Sequence, residues 1–303
     1  MFQATNTDLT NAISNFNPKL SRSSARTYAS QIKSINKKFG DQGFNINMKW
    51  YTPEIEGRLL KIKKPITKKN LLNAALIAMY VAKRSDDVKR LQSILKPIRD
   101  ELNYNQKKQK RTPREVAREI QFPLLLKKYR AFARKIPTWT VANWEMLQKF
   151  TVLSLYILNP PIRLDYGAAS MVKTNEANWI DWKSKVFNVI KFKTVKSMGP
   201  QKIPLGPALR IIKKWKKVRE LVNNEGNLFL TSKKKAFTSN SFGRFLSKIL
   251  SDLYGKKTSL ADLRKAYITH FNSSPKSILQ KEKLAKYMLH SKSTAEMFYQ
   301  KLG

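Results

Sequence analysis

Arg163, Arg264, His290 and Tyr299 are side-chain types that together could break and remake a phosphodiester bond. That reaction needs a nucleophile in line with the leaving oxygen and positive charge around the two non-bridging oxygens. It also needs a group that protonates the departing 5′ oxygen. A metal-dependent nuclease would answer with clustered carboxylates, but acids are scarce here, and Asp165, Asp181, Asp252 and Asp262 form no recognisable metal motif. The positive groups must then be arginine, lysine or histidine. Arg163 follows the rigid Pro160-Pro161 pair at the end of an apolar stretch, which would hold its guanidinium in place. Arg264 stands beside the stripe Leu260, Leu263 and Tyr267 of an expected helix. His290 lies in Tyr287-Met288-Leu289-His290-Ser291, and Tyr299 ends an expected short helix. Taken singly, each has a plainer reading: a structural or phosphate-contacting arginine, a structural histidine, a packed tyrosine. His270 reads as a helix-surface or core histidine. There is no cysteine and no histidine besides His270 and His290. Disulfides, thiolate zinc sites and histidine-rich metal sites are therefore excluded.

As an ordered set these residues resemble the catalytic domain of tyrosine recombinases and phage-type integrases. That family places an arginine after its first core helix, a lysine in a β-hairpin, and a Leu-Arg-x-x-x-x-Thr helix. A small residue-His-Ser turn and then the tyrosine follow near the C-terminus. Here the corresponding stretches are Pro160-Pro161-Ile162-Arg163-Leu164-Asp165-Tyr166, Lys191-Phe192-Lys193-Thr194-Val195-Lys196 leading to Lys202, Leu263-Arg264 through Thr269, and Leu289-His290-Ser291 through Phe298-Tyr299. The nine-residue spacing from His290 to Tyr299 is the usual one for the family. The motif style is most similar to recombinases of large DNA viruses and their mobile elements. The resemblance implies that Tyr299 attacks the scissile phosphorus to give a 3′-phosphotyrosyl intermediate. Arg163, Arg264 and His290 would then hold phosphate oxygens. Lys193, with Lys196 as runner-up, would protonate the leaving 5′ oxygen. Neither metal nor ATP nor any other cofactor is implied. The implied partner is double-stranded DNA, gripped by a homotetramer on two sites, with an accessory directionality factor conceivable. Two departures stand out: Ala261 occupies the place of a family histidine, and only Gln300–Gly303 follow Tyr299, where many members carry a further docking element. Protomers would then couple through other surfaces, through the residues before Tyr299, or in a shortened chain.

Helices and one small sheet must position this set. Apolar periodicity and turn residues predict helices over 23–35, 67–83, 86–103, 114–135, 139–158, 207–222, 239–254 and 259–272, and two shorter ones before the end. Segments 178–182, 186–192 and 201–205 predict strands of an antiparallel sheet. The expected class is α+β. An all-helical domain over 1–103, corresponding to the family's core-binding domain, precedes a basic linker over 104–114 and a mostly helical catalytic domain over 115–303.

Composition agrees with a polyanionic partner. Sixty Lys and Arg against twenty Asp and Glu leave a formal charge of +40 on 303 residues, and 42% hydrophobic residues exclude a disordered basic tail. An anionic membrane surface or a structured RNA would satisfy the same charge. Lys213-Lys214-Trp215-Lys216-Lys217 and Lys233-Lys234-Lys235 are basic clusters that fit either a solvated face or a phosphate backbone. No membrane span and no secretory signal is legible, so the expected location is intracellular, with the DNA: a host nucleus, a viral replication compartment, or the virion. From other classes, a type IB-like topoisomerase and a non-cleaving DNA-binding protein with the same fold remain as alternatives.

Overall fold

The computed structural model describes residues 5–40, 45–107, 116–223 and 225–290. Two compact units divide the chain, Met1–Lys108 and Gln109–Gly303. Among the described residues the fold is largely helical with one small antiparallel sheet, and no helix is long and apolar enough to cross a membrane.

The first unit holds α1 (Asn6–Phe16), α2 (Arg22–Phe39), α3 (Pro53–Leu60), α4 (Pro65–Val81) and α5 (Ser85–Lys107). Each start has a local cause. Thr5 and Asp8 form a capping box ahead of α1, Ser21 caps α2, and Pro53 and Pro65 open α3 and α4, where a missing N–H costs nothing. Leu9 and Ile13, Ala29, Ile32 and Ile35, and Leu72, Ala75 and Met79 close a common core with Trp50 and Tyr51. The sequence reading missed α1 and α3. Neither is long enough for apolar periodicity to show; the capping box marks α1 and Pro53 marks α3 instead. Helix α5 continues to Lys107 despite Pro97 inside it.

The second unit contains α6 (Phe122–Ala133), α7 (Trp144–Leu158), β1 (Trp179–Asp181), β2 (Val186–Val189), the single turn α8 (Val195–Met198) and β3 (Gln201–Pro204). Then come α9 (Leu209–Val222), α10 (Ser239–Tyr254), α11 (Leu260–Phe271) and α12 (Ile278–Tyr287). The helix expected over 114–135 is interrupted at residues 119–121 and restarts at Phe122. Pro123 belongs in the first turn of a helix, and the Gln121 N–H there donates not to a helical carbonyl but to the hydroxyl oxygen of Tyr254 at 3.0 Å. Helix α7 is buried on nearly every side from Leu147 to Ile157 and is the centre of this unit. The sheet is a meander in the order β1-β2-β3, with Ile180 opposite Phe187 and Phe187 opposite Ile203. These residues face the core, where Phe187 lies 4.6 Å from the Tyr166 ring and Tyr166 meets Tyr156 edge-on at 5.4 Å. Gly167 lets Phe242 of α10 pack close against the backbone beside Tyr166: a Cβ there would sit 2.5 Å from the Phe242 ring. On α9, Ile212, Trp215 and Val218 turn inward, leaving Lys213, Lys214 and Lys217 exposed.

Candidate active site

Helix α12 ends in a tight turn that is the hub of the site. Met288 N–H donates to Leu284 O at 2.9 Å, Leu289 N–H to Lys286 O at 3.0 Å, and His290 N–H reaches back to Ala285 O at 3.1 Å. To make that turn Leu289 adopts φ 58, a left-handed conformation that a helix C-terminus usually gives to glycine. The consequence is that the carbonyls of Met288 and Leu289 point away from the helix into the protein. They are the partly negative end of the helix and need donors.

Two guanidiniums supply them. Arg264, on α11, is only 2% exposed; its Nη2 donates to Met288 O at 3.2 Å and its Nη1 to Pro161 O. Arg163, half-buried at the end of the Pro160-Pro161 segment, donates Nη1 to Leu289 O at 2.9 Å. The Arg163 carbonyl in turn accepts the Tyr156 hydroxyl at 2.6 Å, which fixes the backbone behind it to α7. Arg264 therefore does not sit at the edge of its helix's apolar stripe, as expected, but inside it, with Leu263, Ala266 and Ile268 buried around it. Tyr267 is the residue displaced to half-burial, packed edge-on against Phe122 at 5.1 Å. Burial of an arginine is tolerable here because carbonyls meet its donors.

The β2–β3 connection approaches from another side. Thr194 donates its hydroxyl to the same Leu289 carbonyl at 3.2 Å. Its neighbour Lys193 is exposed and, with Lys191, shares with Arg163 an open cleft of about 430 Å³. Lys196 falls on the turn α8 and does not line that cleft. His290 is 2% exposed. The structure thus brings Arg163, Arg264 and His290 together around one turn, with Lys193 across the cleft from Arg163. Tyr299 and Ser291 lie outside the described residues. His270 is exposed and stacks on Phe122 at 5.2 Å, away from this turn in its partners.

Two residues of the site carried no assigned role in the sequence. Asn178, buried just before β1, receives Ile190 N–H and Lys191 N–H on Oδ1 at 2.9 and 2.8 Å, and its Nδ2 donates to the carbonyls of Lys191 and Asp165. One amide so fastens the lysine-bearing turn to the Arg163 segment. Asp165 lines the cleft, and its Oδ2 has no hydrogen-bond partner among the described residues. Burial pushes its carboxyl up to about 6, against the pull of Arg163 and Arg264. Its position two residues after Arg163 was visible in the motif; its burial was not. Among the described residues no three His, Asp or Glu side chains group as a metal site would require.

No family model matches the chain, and no curated protein matches it. Among solved structures, the crystal structure of XerA recombinase aligns over 97% of this chain and 94% of its own, at 14% identity and a TM-score of 0.41.

Proposed function

We propose that the chain is a site-specific DNA strand transferase of the tyrosine recombinase type, and that Tyr299 is its nucleophile. The observation that carries this reading is the meeting of Arg163 and Arg264 on consecutive carbonyls of the turn that leads into His290. The Arg163 guanidinium makes no other hydrogen bond with a described residue, and it borders a cleft shared with Lys191 and Lys193. A cleft with a guanidinium and two ammoniums suits a phosphodiester, whose non-bridging oxygens accept from all of them. In the proposed step the Tyr299 hydroxyl gives its proton to solvent as its oxygen bonds to phosphorus, and the bond to the 5′ oxygen breaks. Lys193 gives that oxygen its proton, leaving a 3′-phosphotyrosyl ester and a free 5′-hydroxyl. Attack by a 5′-hydroxyl from a second duplex reverses the step and exchanges strands. Duplex DNA is the substrate, a homotetramer on two sites the working assembly, and the helical first unit a second grip on the duplex. Membership in the viral and mobile-element branch of the family rests on the motif style alone, and strand exchange there would serve integration, excision or genome resolution.

The test is a nicked duplex carrying the terminal sequence of the element that encodes the chain, incubated with protein in EDTA and run on a denaturing gel. A covalent adduct that Tyr299→Phe abolishes is the expected result. Binding without adduct would favour a non-cleaving DNA-binding protein, with Ala261 as the first place to look.

A further inference from the structure

Lys193 stands between β2 and β3, and nothing on its own side chain decides where its ammonium goes. It makes no ion pair with a described acid, and it is exposed in the cleft that it shares with Arg163. A flexible four-carbon stem on a free turn would sample many positions, most of them out of hydrogen-bond reach of any one oxygen. The turn is not free. Phe192, between the two lysines, is packed into the core, while Lys191 and Lys193 line the cleft.

Two polar side chains hold the turn at its ends. At the leading end the buried Asn178 carboxamide accepts Ile190 N–H and Lys191 N–H, and it donates to Lys191 O at 3.0 Å and to Asp165 O at 3.3 Å. Two bonds accepted and two donated fill the capacity of an amide. At the trailing end the Thr194 hydroxyl reaches the Leu289 carbonyl at 3.2 Å. It has one proton to give, and the Met198 sulfur at 3.4 Å is the weaker acceptor. The same Leu289 carbonyl takes Arg163 Nη1 at 2.9 Å. Both ends of the turn are thus referred to Arg163, one through the backbone of Asp165 and the other through a shared acceptor.

Resting on the strand-transferase reading above, with Lys193 as its proton donor, we propose that Asn178 and Thr194 are positioning residues for that proton transfer. They fix the backbone of Lys193 relative to Arg163, so that guanidinium and ammonium meet one phosphodiester: Arg163 at a non-bridging oxygen, Lys193 at the bridging 5′ oxygen. Loss of either pin leaves attack by Tyr299 and the grip on the phosphate in place. It slows the departure of the 5′ oxygen alone.

The experiment compares two nicked duplexes of one sequence, an ordinary one and one with sulfur in place of the 5′ oxygen at the scissile phosphate. When the phosphorus–sulfur bond breaks, the leaving group departs as a thiolate and needs no proton. Thr194→Val keeps the shape and removes the hydroxyl. It is expected to form the Tyr299 adduct about 10- to 100-fold more slowly on the oxygen duplex and at the wild-type rate on the sulfur one. Thr194→Ser keeps the donor and restores the oxygen rate. Asn178→Ala shows the same split, and a wild-type rate on sulfur cannot come from an unfolded variant. Slowing on both duplexes alike, or on neither, in Thr194→Val overturns the inference; so does the same result in an Asn178→Ala chain that still binds duplex. Lys193→Ala tests the reading beneath it. If that variant slows both duplexes equally, another group is the acid and the inference falls, while adduct formation by Tyr299 keeps the strand-transferase reading. A wild-type chain that forms no adduct on either duplex overturns both.

Discussion

At the scale of single residues, the candidate site is built by opposed demands on charge. Arg264 is buried with carbonyls for partners, whereas Asp165, in the same neighbourhood, has an oxygen with none among the described residues. The two arginines would hold an exposed carboxylate ionised; burial wins instead and lifts Asp165 to about 6 from an ordinary 3.8. A carboxyl raised in this way leaves stability whole below the unfolded value and erodes it as pH climbs through the folded one. The difference corresponds to at most roughly 3 kcal/mol lost above pH 6. Asp165→Asn keeps the shape and removes the ionisation. It is expected to unfold later than wild type in urea at pH 7.5, by about 1–3 kcal/mol, and to match wild type near pH 4. An equal advantage at both pH values would assign the gain to packing rather than ionisation. Motif spacing alone names Arg163, Arg264, His290 and Lys193 as candidates. Asp165 and Asn178 were not legible in the sequence, since what they do depends on burial and on backbone brought in from twelve and thirteen residues away.

At the scale of elements, a long helix closed by local caps at both ends read well and one broken by a tertiary partner did not. Helix α10 matches its expected span of 239–254 because Thr238 and Ser241 form a capping box and Gly255 closes it in a left-handed conformation. The break at 119–121 was invisible because the Tyr254 hydroxyl that serves Gln121 lies 133 residues away. The turn after α12 is the element on which the site depends most, and it is strained. Leu289 is wholly buried and left-handed at once. Removing its side chain costs packing, about 2–4 kcal/mol. The backbone term runs the other way, because glycine accepts φ 58 freely and alanine does not. Leu289→Gly should therefore be more stable than Leu289→Ala by about 1 kcal/mol, the reverse of the order in a helix interior. Chemical denaturation of the two variants side by side checks this; alanine ahead of glycine would mean that the turn relaxes once the leucine is gone.

At the scale of the whole molecule, charge governs behaviour more than any pair of residues. With sixty cations against twenty anions, the average lysine sees more of its own sign than of the opposite one. The ion pairs Lys216–Glu220 and Lys248–Asp252 join residues one helical turn apart on exposed surfaces, where such pairs contribute only about 0–1 kcal/mol. Self-repulsion should outweigh them. Added salt screens repulsion between exposed charges over a Debye length of about 10 Å at 0.1 M. Thermal unfolding should therefore move upward by about 2 °C or more between 10 and 150 mM sodium chloride. A protein held together by surface ion pairs would move down instead. Duplex affinity should take the opposite course from stability, because each phosphate neutralised by a lysine or arginine releases a counterion. With six to ten phosphates engaged, affinity falls about 10³- to 10⁵-fold between 50 and 200 mM salt. The two responses together discriminate better than either one. Rising stability with falling affinity marks a surface shaped for a polyanion that it lacks when alone, whereas a salt-insensitive affinity would mean that the charge serves solubility and that duplex binding, if seen, is carried by few phosphate contacts.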